Sequence, residues 1–481
     1  MRLAQKIFIS SFATSINILS GFLRNKIIAV YLSVSLFGIL SISQQSVSLV
    51  FTVFVLGLPT GIAAFGAKLS TLPEEEQKRL ISKLLVLLFT LSSAVLTLLL
   101  IVYSFYAKVF SYAISGSEEY VLPIFIVLAA APFMIIQNSL NSLMEGMGLV
   151  KQLSYFKIIP SLIIVPTLFF AVVQYQLIGA ALGTLLSEVL FAVFALGVMR
   201  KYIALSQKSF HFGEVVGEVF KVAIASAVVG AVWMLTDFIL KRYLLESFGK
   251  IENGIVQSIA KVTDLYPTIV LAWLNLHLFP VLASSNQDKK KIIVHLERTV
   301  LIAATLIIPI VLGLFASRVL VLNILYQKDF IIAEDYFGSM LVSGIPKVIT
   351  WVVGVALLPL GLKKEWFVTS IIYIAAYIMI SFVGLSVGLG IYVIPLSTTL
   401  ALFIQFIAII YLLNKNDYKF SSNFLHQGLL YTSITLFIFA AKFQIFFLIL
   451  AGLLYFYLIY RNNLISELYF RVKNVVKKNI K

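Results

Sequence analysis

The sequence predicts an all-α polytopic membrane protein of about fourteen transmembrane helices, and three observations carry that prediction. The 481-residue chain is 60% hydrophobic and 12% charged, with a mean hydropathy of +1.02. A soluble domain would carry roughly twice that charged fraction. The apolar residues come in blocks of about 20, the length that crosses a hydrocarbon core of about 30 Å. Lipid offers the backbone no hydrogen-bond partners, so an open sheet is excluded and helices remain.

Apolar runs bounded by polar or Gly/Pro residues predict spans at 7–30, 36–58, 84–106, 121–143, 158–175, 177–199, 222–240, 256–281, 299–316, 336–360, 367–386, 390–413, 425–441 and 443–460. The first run exceeds a signal-peptide core and lacks a small-residue cleavage site after it, so it reads as a retained span. An even number of spans puts both termini on one side.

Lys and Arg fix the orientation. With the termini cytoplasmic, the outer loops hold seven basic residues: Lys108, Lys241, Arg242, Lys250, Arg318, Lys328 and Lys442. Four more, Arg24, Lys26, Lys261 and Lys347, fall within spans, and the other 26 of 37 lie on the cytoplasmic side. A multi-pass protein of the cell membrane with cytoplasmic termini follows. The net charge of +16 is mostly this topology. Basic loops lie against an anionic leaflet, so membrane lipids are the expected partners and nucleic acid is not.

Composition also removes chemistry. There are no cysteines, which excludes disulfides and thiolate sites. His211, His277, His295 and His426 have no ligand spacing, so neither a metal nor a cofactor is expected. No phosphate loop occurs, and no large soluble loop or acidic pair suits catalysis, so the chain reads as a non-enzyme without catalytic residues.

The chain divides at the polar stretch Arg200–Lys221, too polar to span and suited to the membrane interface. The predicted parts are an N-terminal lobe at 1–200, an interfacial linker at 201–221, a C-terminal lobe at 222–413, and two extra spans with a basic tail at 414–481. The six-helix lobes look like repeats. Glu119-Tyr120, Ala131-Pro132 and Gly148-Leu149-Val150-Lys151 around the fourth span correspond to Asp335-Tyr336, Ile345-Pro346 and Gly361-Leu362-Lys363-Lys364 around the tenth. Their offsets are 216, 214 and 213 residues. Six intervening spans give both copies the same orientation, a parallel repeat whose halves would face a central cavity.

Ionisable side chains inside spans are costly and mark function by default. Arg24 lies two helical turns after Asn17, with Ser20 and Gly21 between them on one stripe. That stripe suits a cavity wall where a guanidinium fork takes phosphate oxygens; snorkelling to the outer headgroups is the competing reading, and the better one for Lys26. In the eighth span Gln257, Lys261, Asp264, Thr268 and Asn275 share a face, and Lys261 can pair with Asp264 at i, i+3. That pair is either structural or a contact in which Lys261 meets an anion and Asp264 takes a coupling ion. Lys347 follows Pro346, whose ring can free a carbonyl. Gln137, Asn138, Asn141 and Glu145 form a stripe suited to sugar hydroxyls or to helix–helix hydrogen bonds. Glu188, in the middle of the sixth span, is a second coupling-ion candidate, and Asp237 reads as interfacial.

Several short stretches carry a family resemblance: Gly21-Phe22-Leu23-Arg24-Asn25-Lys26-Ile27-Ile28-Ala29, Phe37-Gly38, Gly57-Leu58-Pro59-Thr60-Gly61, Glu145-Gly146-Met147-Gly148 and Leu278-Phe279-Pro280. Over nearly the whole chain the pattern resembles the multidrug/oligosaccharidyl-lipid/polysaccharide exporter superfamily, and within it the Wzx-type polysaccharide (O-antigen) repeat-unit flippases. The resemblance implies two six-helix lobes, two extra helices and alternating access for an undecaprenyl-diphosphate-linked oligosaccharide. It implies a monomer working beside a polysaccharide polymerase and glycosyltransferases. It carries the family's cationic cavity to Arg24, Lys261 and Lys347, beside the polar candidates Asn17 and Asn141 and the ion candidates Asp264 and Glu188. Lipid II flippases share the architecture but usually show more arginines in the first lobe. A multidrug antiporter would line its cavity with carboxylates.

Overall fold

The computed structural model describes residues 3–55, 57–202, 213–268, 270–271, 289–358, 360–440 and 446–462. It is 91% helical, without a strand among the described residues. Eight helical stretches there are long and apolar enough to cross a membrane, and the apolar helix Phe446–Arg461 is shorter.

The helices are α1 Leu3–Tyr31, α2 Val34–Val55, α3 Leu58–Leu69, α4 Glu74–Ser115, α5 Val121–Leu128, α6 Ala131–Gly146, α7 Val150–Met199, α8 Gly213–Phe248 and α9 Lys250–Thr263. Then follow α10 Lys289–Ala316, α11 Arg318–Leu325, α12 Glu334–Val342, α13 Gly344–Ala356, α14 Lys363–Ser386, α15 Val393–Lys415, α16 Ser422–Ala440 and α17 Phe446–Arg461. Leu278-Phe279-Pro280, Asn275 and the basic tail lie outside the described residues.

Several helices hold more than one predicted element. The 50 residues of α7 would extend about 75 Å at 1.5 Å per residue, over twice the membrane core. They turn back on themselves at Gln176 (φ 45°, ψ −117°), the residue between the predicted spans 158–175 and 177–199. The returning arm packs so closely that a Cβ on Gly179 would collide with the carbonyl of Ala171. Likewise α4 leaves helical geometry at Tyr106, the last residue of the third predicted span. The sequence reading left 59–83 as a loop, but α3 occupies most of its first half. Gly57 (φ 69°) turns the chain there and Pro59 enters the first turn, where a missing N–H costs nothing. Twelve residues are too short for a span, so the search for apolar windows missed them.

The chain forms two compact units, Met1–Gln257 with Leu325–Phe330, and Ser258–Ile324 with Ile331–Lys481. This moves the boundary from the predicted 201–221 linker, of which 203–212 lies outside the described residues. In the first unit α8 packs on α2, α3 and α4. Gln45 donates to Asp237, which also takes Lys241 Nζ at 2.8 Å. Arg242 caps the end of α4, donating to Tyr112 O (3.0 Å) and Ala113 O and pairing with Glu246 at 2.7 Å. A polar stretch marks a connection outside the bilayer and does not report which bundle the following helix packs against. Asp237 is therefore a clamped residue rather than a loose interfacial charge.

The internal repeat is present at the level of single hydrogen bonds. In the first unit Met147, Gly148 and Leu149 N donate to Leu143, Glu145 and Met144 O at 2.9, 3.1 and 2.9 Å. In the second unit, 213 residues later, Leu360, Gly361 and Leu362 N donate to Ala356, Leu358 and Leu357 O at 3.2, 3.0 and 2.8 Å. Gly148 and Gly361 have φ +67° and +78°, the left-handed cap that ends a helix and that glycine enters without a Cβ penalty. The following leucines agree too, at φ −80°, ψ 63° and φ −84°, ψ 55°. Ion pairs ahead of the two interrupted spans also correspond, Lys108–Glu118 at 3.5 Å and Arg318–Glu334 at 3.1 Å.

Candidate functional site

Both units carry an interruption in one span, the fourth predicted span in the first unit and the tenth in the second. In the first the chain turns at Ala129-Ala130 between α5 and α6, and Pro132 falls in the first turn of α6. In the second it turns at Ser343 between α12 and α13, with Pro346 two residues after Gly344. The backbone stays helical through both points (Ala130 φ −73°, ψ −22°; Ser343 φ −59°, ψ −20°), so each proline kinks a span rather than ending it. A kink loosens backbone hydrogen bonds that lipid cannot replace. Ser92 Oγ donates to Pro132 O at 3.0 Å, and the buried Tyr266 hydroxyl donates to Leu341 O.

In the first unit a polar stripe on the returning arm of α7 collects the candidates. Arg24 Nη1 donates to Ser187 Oγ at 2.7 Å. Gln137 Nε2 on α6 donates to Glu188 Oε2 at 3.0 Å, and Gln44 Nε2 on α2 donates to Thr184 Oγ1 at 3.0 Å. Thr184, Ser187 and Glu188 lie on one helix face by their spacing. Glu188 and Arg24 act on each other electrostatically, while Arg24 Nε is buried without an acceptor. Asn17 accepts from Ser161 Oγ at 2.9 Å, and Ser20 Oγ donates to Ser161 O at 2.7 Å, so α1 is stitched along α7. Lys26 is exposed. Asn141 joins a separate group at the end of α6: its Nδ2 donates to Glu145 Oε1 at 3.1 Å, and Lys157 lies 3.7 Å from the same oxygen.

In the second unit Lys347 Nζ on α13 meets Asp264 Oδ1 at 2.8 Å. The carboxylate expected to face Lys261 is thus engaged by a lysine 83 residues away. Asp264 stands in a turn just beyond α9, and Lys261 is partly buried in the last turn of that helix. The Asp264–Lys347 pair is open, its side chains 69% and 42% exposed.

The structure therefore brings Arg24, Glu188 and Gln137 together in one unit and Asp264 and Lys347 in the other, and leaves Asn141 with Glu145. Sequence reasoning missed Ser187, Thr184 and Tyr266. The first two lie one helical turn apart beside Glu188, a stripe that a search for charged residues passes over. Among the described residues no cluster of His, Asp and Glu could hold a metal ion.

No protein-family description matches the sequence, and no curated protein is significantly similar to it. Solved structures match in fold. The lipid II flippase MurJ in an inward closed conformation aligns with TM-score 0.69 at 18% identity, over 95% of this chain and all of that one. An inward-facing MATE family multidrug transporter aligns with TM-score 0.68 at 14% identity, over 83% and 95%. A transporter from Pyrococcus furiosus, described by the reverse polarity of its binding pocket, aligns with TM-score 0.61 at 15% identity, over 85% and 94%. At these identities the likeness is one of fold: the chain is a polytopic helical membrane protein with the architecture shared by MurJ and the MATE transporters of the MOP superfamily.

Proposed function

We propose that the protein is a flippase that moves an undecaprenyl-diphosphate-linked oligosaccharide repeat unit from the cytoplasmic to the outer leaflet by alternating access. The observation that carries this reading is Arg24. It is a guanidinium inside an apolar span, held by a neutral hydroxyl at Ser187 and with its Nε free of an acceptor. A buried structural arginine normally fills its fork with carboxylate oxygens; this one has a neutral hydroxyl there, which an anion can replace. Lys347 and Lys261 supply cations in the second unit, Asn17 and Asn141 polar contacts, and Glu188 and Asp264 the carboxylates for a coupling ion. Polymerase and glycosyltransferases would act before and after translocation in the same membrane.

The MurJ likeness favours a second reading, a lipid II flippase, because that alignment spans 95% of the chain and the MATE alignment 83%. Both substrates present a diphosphate, so they differ in headgroup rather than in the contact with Arg24. The test is a liposome assay with three fluorescent substrates: a lipid-linked oligosaccharide diphosphate, lipid II and an organic cation. The repeat-unit reading expects flipping of the first at a rate at least tenfold above the others. Faster flipping of lipid II would install the second reading, and transport of the cation alone would overturn both.

A further inference from the structure

The first unit holds a carboxylate where an anion-binding site would be better without one. Glu188 follows Ser187, the residue to which Arg24 donates at 2.7 Å, and its charge acts on the guanidinium. Its own anchor is neutral, Gln137 Nε2 at 3.0 Å. Among the elements packed on α7, α2 and α5 carry no ionisable side chain. The ionisable group of α6 is Glu145, at its far end with Lys157. From α1 the facing charge is Arg24, while Lys26 is exposed. The 3-10 turn Arg200–Tyr202 adds Arg200 and Lys201 at the far end of α7. The opposite charge that acts on Glu188 from a neighbouring span is therefore Arg24, whose own contact at Ser187 is one residue along, without a contact ion pair between the two.

Resting on the reading of Arg24 as an anion site, we infer that Glu188 is its resident counter-ion: an incoming diphosphate displaces it and Glu188 takes up a proton, so anion and proton bind together. With the site empty, each charge offsets the other's cost of standing in an apolar span. With a phosphate on the guanidinium, two anions share one cation in a low dielectric, and a carboxylate in that position is stable only when protonated. The proton comes from solvent, goes to a Glu188 oxygen, and leaves when the anion does. Gln137 can still serve the protonated acid, because its amide donates to the carbonyl oxygen as readily as to a carboxylate. Arg24 is suited to the exchange because a point contact to Ser187 leaves the rest of the fork to accept two phosphate oxygens.

The experiment uses the full chain in neutral-lipid nanodiscs with farnesyl diphosphate as the probe. Affinity is measured from pH 6 to pH 8, and proton uptake is followed with an indicator dye in weak buffer. The wild type should take up about one proton more per bound probe than Glu188→Gln. Its affinity should also fall by up to about tenfold per pH unit relative to that variant; the probe's own titration is common to both and cancels. At pH 8 Glu188→Gln should bind at least tenfold more tightly than the wild type. Glu188→Asp, which keeps the charge, should retain the proton uptake and serves if the amide variant is not recovered. Equal proton uptake in the wild type and Glu188→Gln, or weaker binding in that variant, would overturn the counter-ion alone, provided Arg24→Ala has lost the probe. Undiminished binding by Arg24→Ala, or no binding by the wild type, would overturn the anion site itself.

Discussion

The two units carry the same backbone devices and spend them on different charge environments. In the first, Arg24 is enclosed, held by Ser187 and faced by Glu188. In the second, Lys347 and Asp264 form a 2.8 Å pair that is about half open. An enclosed guanidinium with its Nε unpaired is expensive to keep. An open lysine–carboxylate pair costs little and stabilises little. A repeat can thus preserve helix kinks and caps while the chemistry on each copy diverges.

The sharpest test of that contrast is transport by Arg24→Ala against Lys347→Ala, at matched amounts in the membrane. Loss of an enclosed charged contact of about 1.5–3 kcal/mol predicts a fall of roughly 10- to 150-fold for Arg24→Ala. The fall for Lys347→Ala should be less than about tenfold, because solvent screens the open site. Arg24→Lys should restore only part of the activity, lacking the planar fork. Equal losses at the two positions would break the comparison.

The helix kinks give the next effect. Tyr266→Phe and Ser92→Ala each remove a side-chain donor from a carbonyl beside a kink, while Leu341 O keeps Ser343 N–H and Pro132 O its helical partner, so each should cost about 0.5–1.5 kcal/mol in thermal unfolding. If either variant unfolds with the wild type, water takes the lost donor's place there and the two kinks are not equivalent.

Gly148→Ala and Gly361→Ala probe the shared cap. Each forces a Cβ into the left-handed region, at about 1–2 kcal/mol. The two should match within about 0.5 kcal/mol, and a wider gap would mean that one cap tolerates a different geometry.

Smallest should be the stability change in Asp264→Ala, under about 1 kcal/mol for so open a pair. Its transport is more telling. If Asp264 only neutralises Lys347, Asp264→Asn should retain much of the activity that Asp264→Ala loses. If it holds a coupling ion, both should lose gradient-dependent flux equally.

Much of this architecture is legible residue by residue. The third span ends at Tyr106 and the fifth and sixth meet at Gln176, where the backbone in fact departs from helix. The Gly-Leu-x-Lys turns at 148 and 361 are readable because a left-handed cap strongly selects glycine. Pro132 and Pro346 were legible as kinks, because a proline inside an apolar run lacks the N–H that its helix would use. The second partner of Asp264 was not legible at all. The i, i+3 rule finds Lys261 on the same helix and is blind to Lys347, which only packing brings within 2.8 Å.

Composition and periodicity by themselves determined a helical membrane protein and its repeat. The hydrocarbon core imposes a length and an apolar content on each crossing helix, and those constraints are local. Tertiary structure alone decided that α8 belongs to the first unit, that Ser187 meets Arg24 and Gln137 meets Glu188, and that a tyrosine and a serine donate to carbonyls beside the two kinks. Those choices rest on contacts between residues tens to hundreds of positions apart, where side-chain shape and unsatisfied polar groups outweigh any pattern along the chain.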